Sequence, residues 1–137
     1  MVGRQLLYCR IQVISPQINV VYLGFNDAAF AIQGDIGGEV LKVVPISSAP
    51  EAAVFDVDSG TAVREYQGAT LFLGRRVAQA RVVGETWNGH GVELAFEGLP
   101  DQTLVISSVE AEENNTGLHD ALRIGTLKYT MTCDEDA

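Results

Sequence analysis

Residues 5–26 read QLLYCRIQVISPQINVVYLGFN, and this stretch indicates the fold class. In its first half every second position is apolar: Leu7, Cys9, Ile11 and Val13. Alternation with a period of two is typical of a strand with one face buried and one face in water. Ser15, Pro16 and Gln17 interrupt the pattern, and 18–23 resumes it. The stretch therefore predicts two strands separated by a short turn.

The rest of the chain continues in the same way. Asp58-Ser59-Gly60 and Asn88-Gly89 are typical of hairpin turns, since they favour the positive φ that such turns need. Further strands are predicted at 39–46, 52–57, 61–67, 69–73, 77–83, 103–110 and 124–133, with a hairpin over 85–96. Residues 28–33 fit either a strand or one helical turn, and only 117–123 favours a helix. About nine or ten short strands with at most one short helix predict an all-β fold, either an antiparallel β-sandwich or a small barrel.

Length and composition set the limits of this fold. The 137 residues form a single domain over 1–137, large enough to fold without a disulfide or a metal. The first fifteen residues lack the apolar run of a signal peptide, and no segment resembles a membrane span. We therefore expect synthesis in the cytoplasm, no membrane partner, and free thiols at Cys9 and Cys133. Whether these two cysteines lie close together is open at this stage.

The charge is strongly negative and unevenly distributed. The formal net charge is −9, from 18 acidic and 9 basic residues. Residues 1–50 carry three acids and three bases, 51–100 seven and four, and 101–137 eight and two, which gives net charges of 0, −3 and −6. Because phosphate backbones attract Lys and Arg, a protein this acidic is a poor partner for nucleic acid.

One stretch, 11–26, contains no charged residue at any of its sixteen positions. Monomeric β proteins usually protect exposed strand edges with Lys or other charges, and interface cores are depleted in charge. The stretch therefore predicts a subunit contact, with these candidate residues: Ile18, Val20, Val21, Tyr22 and Phe25. The alternative is that both strands lie in the centre of their sheet.

A second candidate site is the loop Trp87-Asn88-Gly89-His90-Gly91, which contains the chain's only tryptophan. An exposed Trp on a glycine-rich loop can stack on a sugar or anchor a protein contact. The candidate binding residues are Trp87, Asn88 and His90. In the alternative interpretation Trp87 packs on the core and His90 is exposed at the tip of the hairpin.

Catalytic and metal-binding patterns are weak. His119 stands beside Asp120, but a hydrolytic triad also needs a serine in a pre-organised turn, and the sequence has no G-x-S-x-G. The segment 56–60, DVDSG, resembles the start of a calcium loop, but position twelve of that loop is Gln67 instead of a bidentate Glu. We therefore expect a hairpin tip at this segment, and no catalytic residue, metal or cofactor.

These observations predict a structural subunit of a symmetric homo-oligomer or of a larger protein lattice. By analogy of architecture, the sequence-based prediction is a component of a virus or phage particle, such as a head-decoration or a tail or connector protein. The alternative is a ligand-binding module that uses the Trp87–Gly91 loop, for example for carbohydrate. A small hydrolase built on His119 and Asp120 comes third.

Overall fold

A computed structural model describes residues 1–14, 17–34, 41–50, 53–56, 61–83, 91–108 and 122–126 of the chain. They form ten strands in two antiparallel sheets, which confirms the all-β fold. The first sheet contains β1 (Leu6–Ile14), β2 (Gln17–Phe25), β3 (Ala29–Gly34), β4 (Leu41–Ile46), β5 (Ala53–Asp56) and β6 (Thr61–Glu65). The second contains β7 (Val77–Val83), β8 (Gly91–Phe96), β9 (Leu99–Ser108) and β10 (Leu122–Thr126). Their spatial orders are β4-β3-β2-β1-β6-β5 and β10-β9-β8-β7.

The stretch that indicated the fold forms the centre of the first sheet. β1 pairs with β2 in antiparallel register, with Ile11 opposite Val21. Cys9, Ile11 and Val13 are buried as the alternation predicted, but Leu7 is 47% exposed and Leu6 is fully buried in its place. The cause is a register shift between Leu6 and Tyr8, which displaces the alternation at the start of β1.

The two sheets share one apolar core. Its buried members come from both sheets and from a short helix between them: Leu6, Cys9, Ile11, Val13, Ile18, Val21, Leu23, Phe25, Ile32, Ala69, Phe72, Val77, Leu94, Phe96, Leu104, Ile106, Leu122 and Ile124. Phe72, the largest of the fully buried side chains among the described residues, stacks on Phe96 with ring centroids 4.8 Å apart. The chain is therefore held together by apolar contact between layers, as a sandwich-like fold requires.

The segment predicted as a strand at 69–73 is instead a 3-10 helix over Gln67–Phe72. Ala69 and Phe72 are buried while Leu71 and Leu73 are exposed, which is a spacing of three and not of two. The hydroxyl of Thr70 donates to the Gln67 carbonyl oxygen over 2.7 Å and supports the turn. The run of apolar residues resembled a strand, but its burial follows the helix.

Two further segments decide between the predicted alternatives. Residues 28–33 belong to a strand, β3, and not to a helical turn. Leu122 and Arg123, which the sequence placed at the end of a helix over 117–123, begin β10. The remainder of that predicted helix lies outside the described residues, as does the hairpin tip at 57–60.

The sheets are joined by backbone hydrogen bonds at one corner, formed by residues 3–6 and 74–77 and called here the β1–β7 corner. The Gly74 N–H donates to the Leu6 carbonyl oxygen over 2.7 Å, and the Leu6 N–H donates to the Arg75 carbonyl oxygen over 3.0 Å. Gly74 has a φ of 83°, in the region that favours glycine, so the chain turns there between the helix and β7. These hydrogen bonds hold the start of β7 beside the start of β1.

Candidate functional site

The tryptophan loop connects β7 with β8, since β7 ends at Val83 and β8 begins at Gly91. Trp87, Asn88 and His90 lie outside the described residues. Ligand binding through this loop therefore stays a prediction from the sequence.

The predicted subunit contact on β2 lies inside the folded chain. Its five candidate residues are buried, none of them more than 8% exposed: Ile18, Val20, Val21, Tyr22 and Phe25. β2 pairs with β1 along one edge and, over residues 20–24, with β3 along the other, so neither edge of this part of the strand is open to a partner. This position is the alternative that the sequence left open.

Both faces of β2 are also covered. Ile18 and Val21 belong to the core between the sheets, whereas Val20 and Tyr22 belong to a second cluster with Ala31 and Ala49. The Ala49 N–H donates to the Tyr8 hydroxyl oxygen over 3.2 Å, which holds the segment after β4 against this face. A strand enclosed on both edges and both faces excludes charge for reasons of folding alone. We therefore correct the predicted contact on β2: its lack of charge reflects burial within the chain.

The edges of the sheets are the places where another chain could add a strand. β4, at one edge of the six-stranded sheet, contains Lys42 and Pro45, and both residues discourage strand addition. β5, at the other edge, has four residues, and β10, at an edge of the second sheet, has five. Within the described residues, β5 and β10 are short and offer few hydrogen bonds to a partner, while β4 is protected by its lysine and proline.

The remaining edge strand, β7, has seven residues and no Lys, Pro, Asp or Glu. Residues 78–82, called here the β7 edge, are all exposed, and Val82 is 77% exposed. Among the described strands, none pairs with the outer side of these residues. The start of β7 is closed, because the Val77 N–H donates to the Arg4 carbonyl oxygen over 2.9 Å and the Val77 carbonyl oxygen accepts from the Gly3 N–H over 2.8 Å. The open part of the strand thus begins at Ala78.

The only charged side chain of β7, Arg81, is paired within the second sheet. Its Nε donates to Oε1 of Glu93, directly opposite on β8, and the Thr103 hydroxyl donates to Oε2 of the same carboxylate over 2.9 Å. Glu93 is 4% exposed, whereas the Arg81 side chain is 59% exposed. The pairing offsets part of the Arg81 charge, which would otherwise protect this edge against association.

The surroundings of β7 are less acidic than the chain as a whole. Four basic residues lie on β7 or at the β1–β7 corner, and three acidic residues lie beside them: Arg4, Arg75, Arg76 and Arg81 with Asp27, Glu93 and Glu97. Among the described residues, four bases against three acids give this region a charge of +1, compared with −9 for the whole chain. A low local charge reduces the electrostatic repulsion between two copies that approach through this region.

Cys9 is a free thiol, but it is buried and therefore poorly accessible to a reactant. Burial raises its pKa above the usual range, and the negative charge of Glu65 adds to the effect. A protonated, enclosed thiol is a poor nucleophile and behaves as a small apolar group. Cys133 lies outside the described residues.

Within the described ranges, no three His, Cys, Asp or Glu side chains are grouped so that they could hold a metal ion. His119 and Asp120 lie outside those ranges. The same part of the chain contains no helix with the length and apolar character that a membrane span needs.

No family model, no curated protein and no solved structure matches the chain.

Sequence reasoning did not single out the β7 edge. It predicted a strand at 77–83 but could not place that strand at the border of a sheet, because strand order depends on contacts between distant segments. One signal was present: VAQARVV contains no proline, unlike LKVVPI in β4.

Proposed function

We propose that this protein is a structural subunit without enzymatic activity, which associates with copies of itself through the β7 edge. The observation that carries the proposal is the open strand at 78–82, exposed on its side chains and unpaired along its outer edge among the described strands. Natural β proteins usually protect such an edge, and here the one available charge is held by Glu93. Placement of the subunit in a virus or phage particle stays a prediction from the sequence.

The contrast between β7 and β4 supports this proposal. Both are edge strands, and both carry an exposed valine, Val82 and Val43. Lys42 and Pro45 protect β4, whereas β7 has no proline and its one basic residue, Arg81, is paired with Glu93. A difference of this kind within one chain is expected when one edge must stay free of partners and the other must bind one.

The same contrast supplies the experiment. Light scattering after gel filtration, over a range of protein concentrations, measures the molar mass of the wild type, Val82→Lys and Val43→Lys. A lysine at Val82 would place a charge in a contact that association removes from water, so the dissociation constant should rise about tenfold or more. Val43→Lys should leave it unchanged. Since both positions are exposed, circular dichroism should show the same strand content for all three proteins.

Three results would contradict the proposal. The wild type could be monomeric at every concentration, Val82→Lys could associate as well as the wild type, or Val43→Lys could weaken association equally. A monomer that binds glycans, and loses them on Trp87→Ala with its stability intact, would support the ligand-binding alternative instead.

A further inference from the structure

We infer that the association is a two-fold one, in which β7 pairs antiparallel with β7 of a second copy and Ala80 lies on the symmetry axis. This inference rests on the proposed function and specifies its geometry. It would join two four-stranded sheets into one sheet of eight strands, four from each copy.

The lengths and charges of the available edge strands indicate which strand pairs with β7. Pairing between β7 and β4 would meet Pro45, which lacks an N–H, and would bring Lys42 to a strand that carries Arg81. β5 provides four residues, and β10 provides five with a basic residue, Arg123, among them. A second β7 matches the first over its open part, 78–82, and has no proline, so self-pairing allows every open position to join the ladder.

The register follows from the faces of the sheet. Residues opposite each other in an antiparallel pair point to the same face, and neighbours along a strand point to opposite faces. Rotation about a two-fold axis perpendicular to the sheet does not exchange the two faces, so each residue and its copy point to the same face. One residue must therefore lie on the axis, opposite its own copy.

Three residues near the middle of the open edge could take this place. With Arg81 on the axis, two like charges would lie directly opposite each other, which destabilises a strand pair. With Gln79 on the axis, Arg81 would lie opposite Val77, whose outer N–H and C=O already bond to Arg4 and Gly3. With Ala80 on the axis, Arg81 lies opposite Gln79 of the second copy and Val82 opposite Ala78. Only this register leaves the charges apart and uses the open part of the edge.

Disulfide trapping tests the register directly. Gln79→Cys, Ala80→Cys and Arg81→Cys are made one at a time in a Cys133→Ser parent, and each protein is oxidised under mild conditions. Opposite residues have Cα atoms about 4.5–5.5 Å apart, which a disulfide can span. In this register, residue 79 of one copy lies opposite residue 81 of the other. The two copies of residue 79, and likewise those of residue 81, are therefore offset by two residues along the strand. Their Cα atoms lie about 8 Å apart, which a disulfide cannot span.

The expected result is a cross-linked dimer for Ala80→Cys, with at least about tenfold less for Gln79→Cys and Arg81→Cys. The parent, whose remaining Cys9 is buried, should give none. A maximum at another position, equal yields, or no cross-link in a parent that still associates would overturn the two-fold register while leaving association through β7 intact. If light scattering shows that the parent and the wild type are both monomeric, the two-fold register and association through β7 are both overturned.

Discussion

Thr103→Val tests how much the hydrogen bond from Thr103 to the buried carboxylate of Glu93 contributes to the free energy of unfolding. The Thr103 hydroxyl donates to Glu93 Oε2 over 2.9 Å, and Glu93 is 4% exposed, so little water is available to replace the lost donor. Valine keeps the shape of threonine and removes only the hydroxyl. The effect therefore isolates one hydrogen bond to a charged group.

The expected loss of stability follows from the kind of hydrogen bond that is removed. Hydrogen bonds to charged groups contribute about 1.5–3 kcal/mol, and the lower part of this range applies because Thr103 is only half-buried. We expect a loss of about 1.5–2 kcal/mol in the free energy of unfolding. With an unfolding entropy of about 2.1 cal/mol/K for each of 137 residues, this corresponds to a fall of about 5–7 °C in Tm.

The assay is calorimetry or thermal circular dichroism, with Thr70→Val as the matched control. The Thr70 hydroxyl donates to a carbonyl oxygen at an exposed site, so its removal should change the free energy of unfolding by about 0.5 kcal/mol or less. In a Glu93→Ala background the Thr103 substitution should also have little effect, since its partner is gone. The reasoning is refuted if Thr103→Val destabilises the protein no more than Thr70→Val does.

Three further predictions concern the core. Phe72→Ala should lower the free energy of unfolding by about 3–5 kcal/mol in urea titrations, because the ring is fully buried against Phe96; a loss under about 1 kcal/mol would contradict the shared core. Gly24→Ala should lower it by about 1–3 kcal/mol, because a Cβ there overlaps the Tyr8 ring, and unchanged stability would show that the ring is not held at that position. The raised pKa of Cys9 keeps its thiol protonated in the folded state, whereas the unfolded chain ionises it above about pH 8.5, so this group leaves stability unchanged below that pH and lowers it above. Thermal melts from pH 7 to 9.5 should therefore show a smaller alkaline decline for Cys9→Ala than for the wild type, and equal declines would show that the thiol is not enclosed.

Local pattern was enough to predict most strands. In β1 the alternation of Cys9, Ile11 and Val13 follows from the geometry of a strand, which any neighbour in the sheet preserves. It failed at Leu7, where a register shift reverses the faces, and at 69–73, where a 3-10 helix buries every third residue. Neither feature leaves a distinct signal in the local sequence pattern.

The β7 edge could not be predicted from the sequence, because local pattern does not give strand order. The absence of charge in 11–26 is consistent with a subunit contact and with a central strand, and only strand order separates the two. The structure places Val20 and Val21 inside the chain, so these residues are not available to a partner subunit. Val82 then stands out through its exposure, which its sequence neighbours do not indicate.

Hydrogen exchange at two protein concentrations tests association through β7 most directly. Backbone amides that join a ladder between copies lose contact with water, so exchange in a peptide covering 77–83 should slow as the concentration rises through the dissociation constant. A peptide covering β4, 41–46, serves as the internal control and should exchange at the same rate at both concentrations. Slower exchange in β4 or elsewhere, with β7 unchanged while the molar mass increases, would contradict the assignment of the contact to the β7 edge.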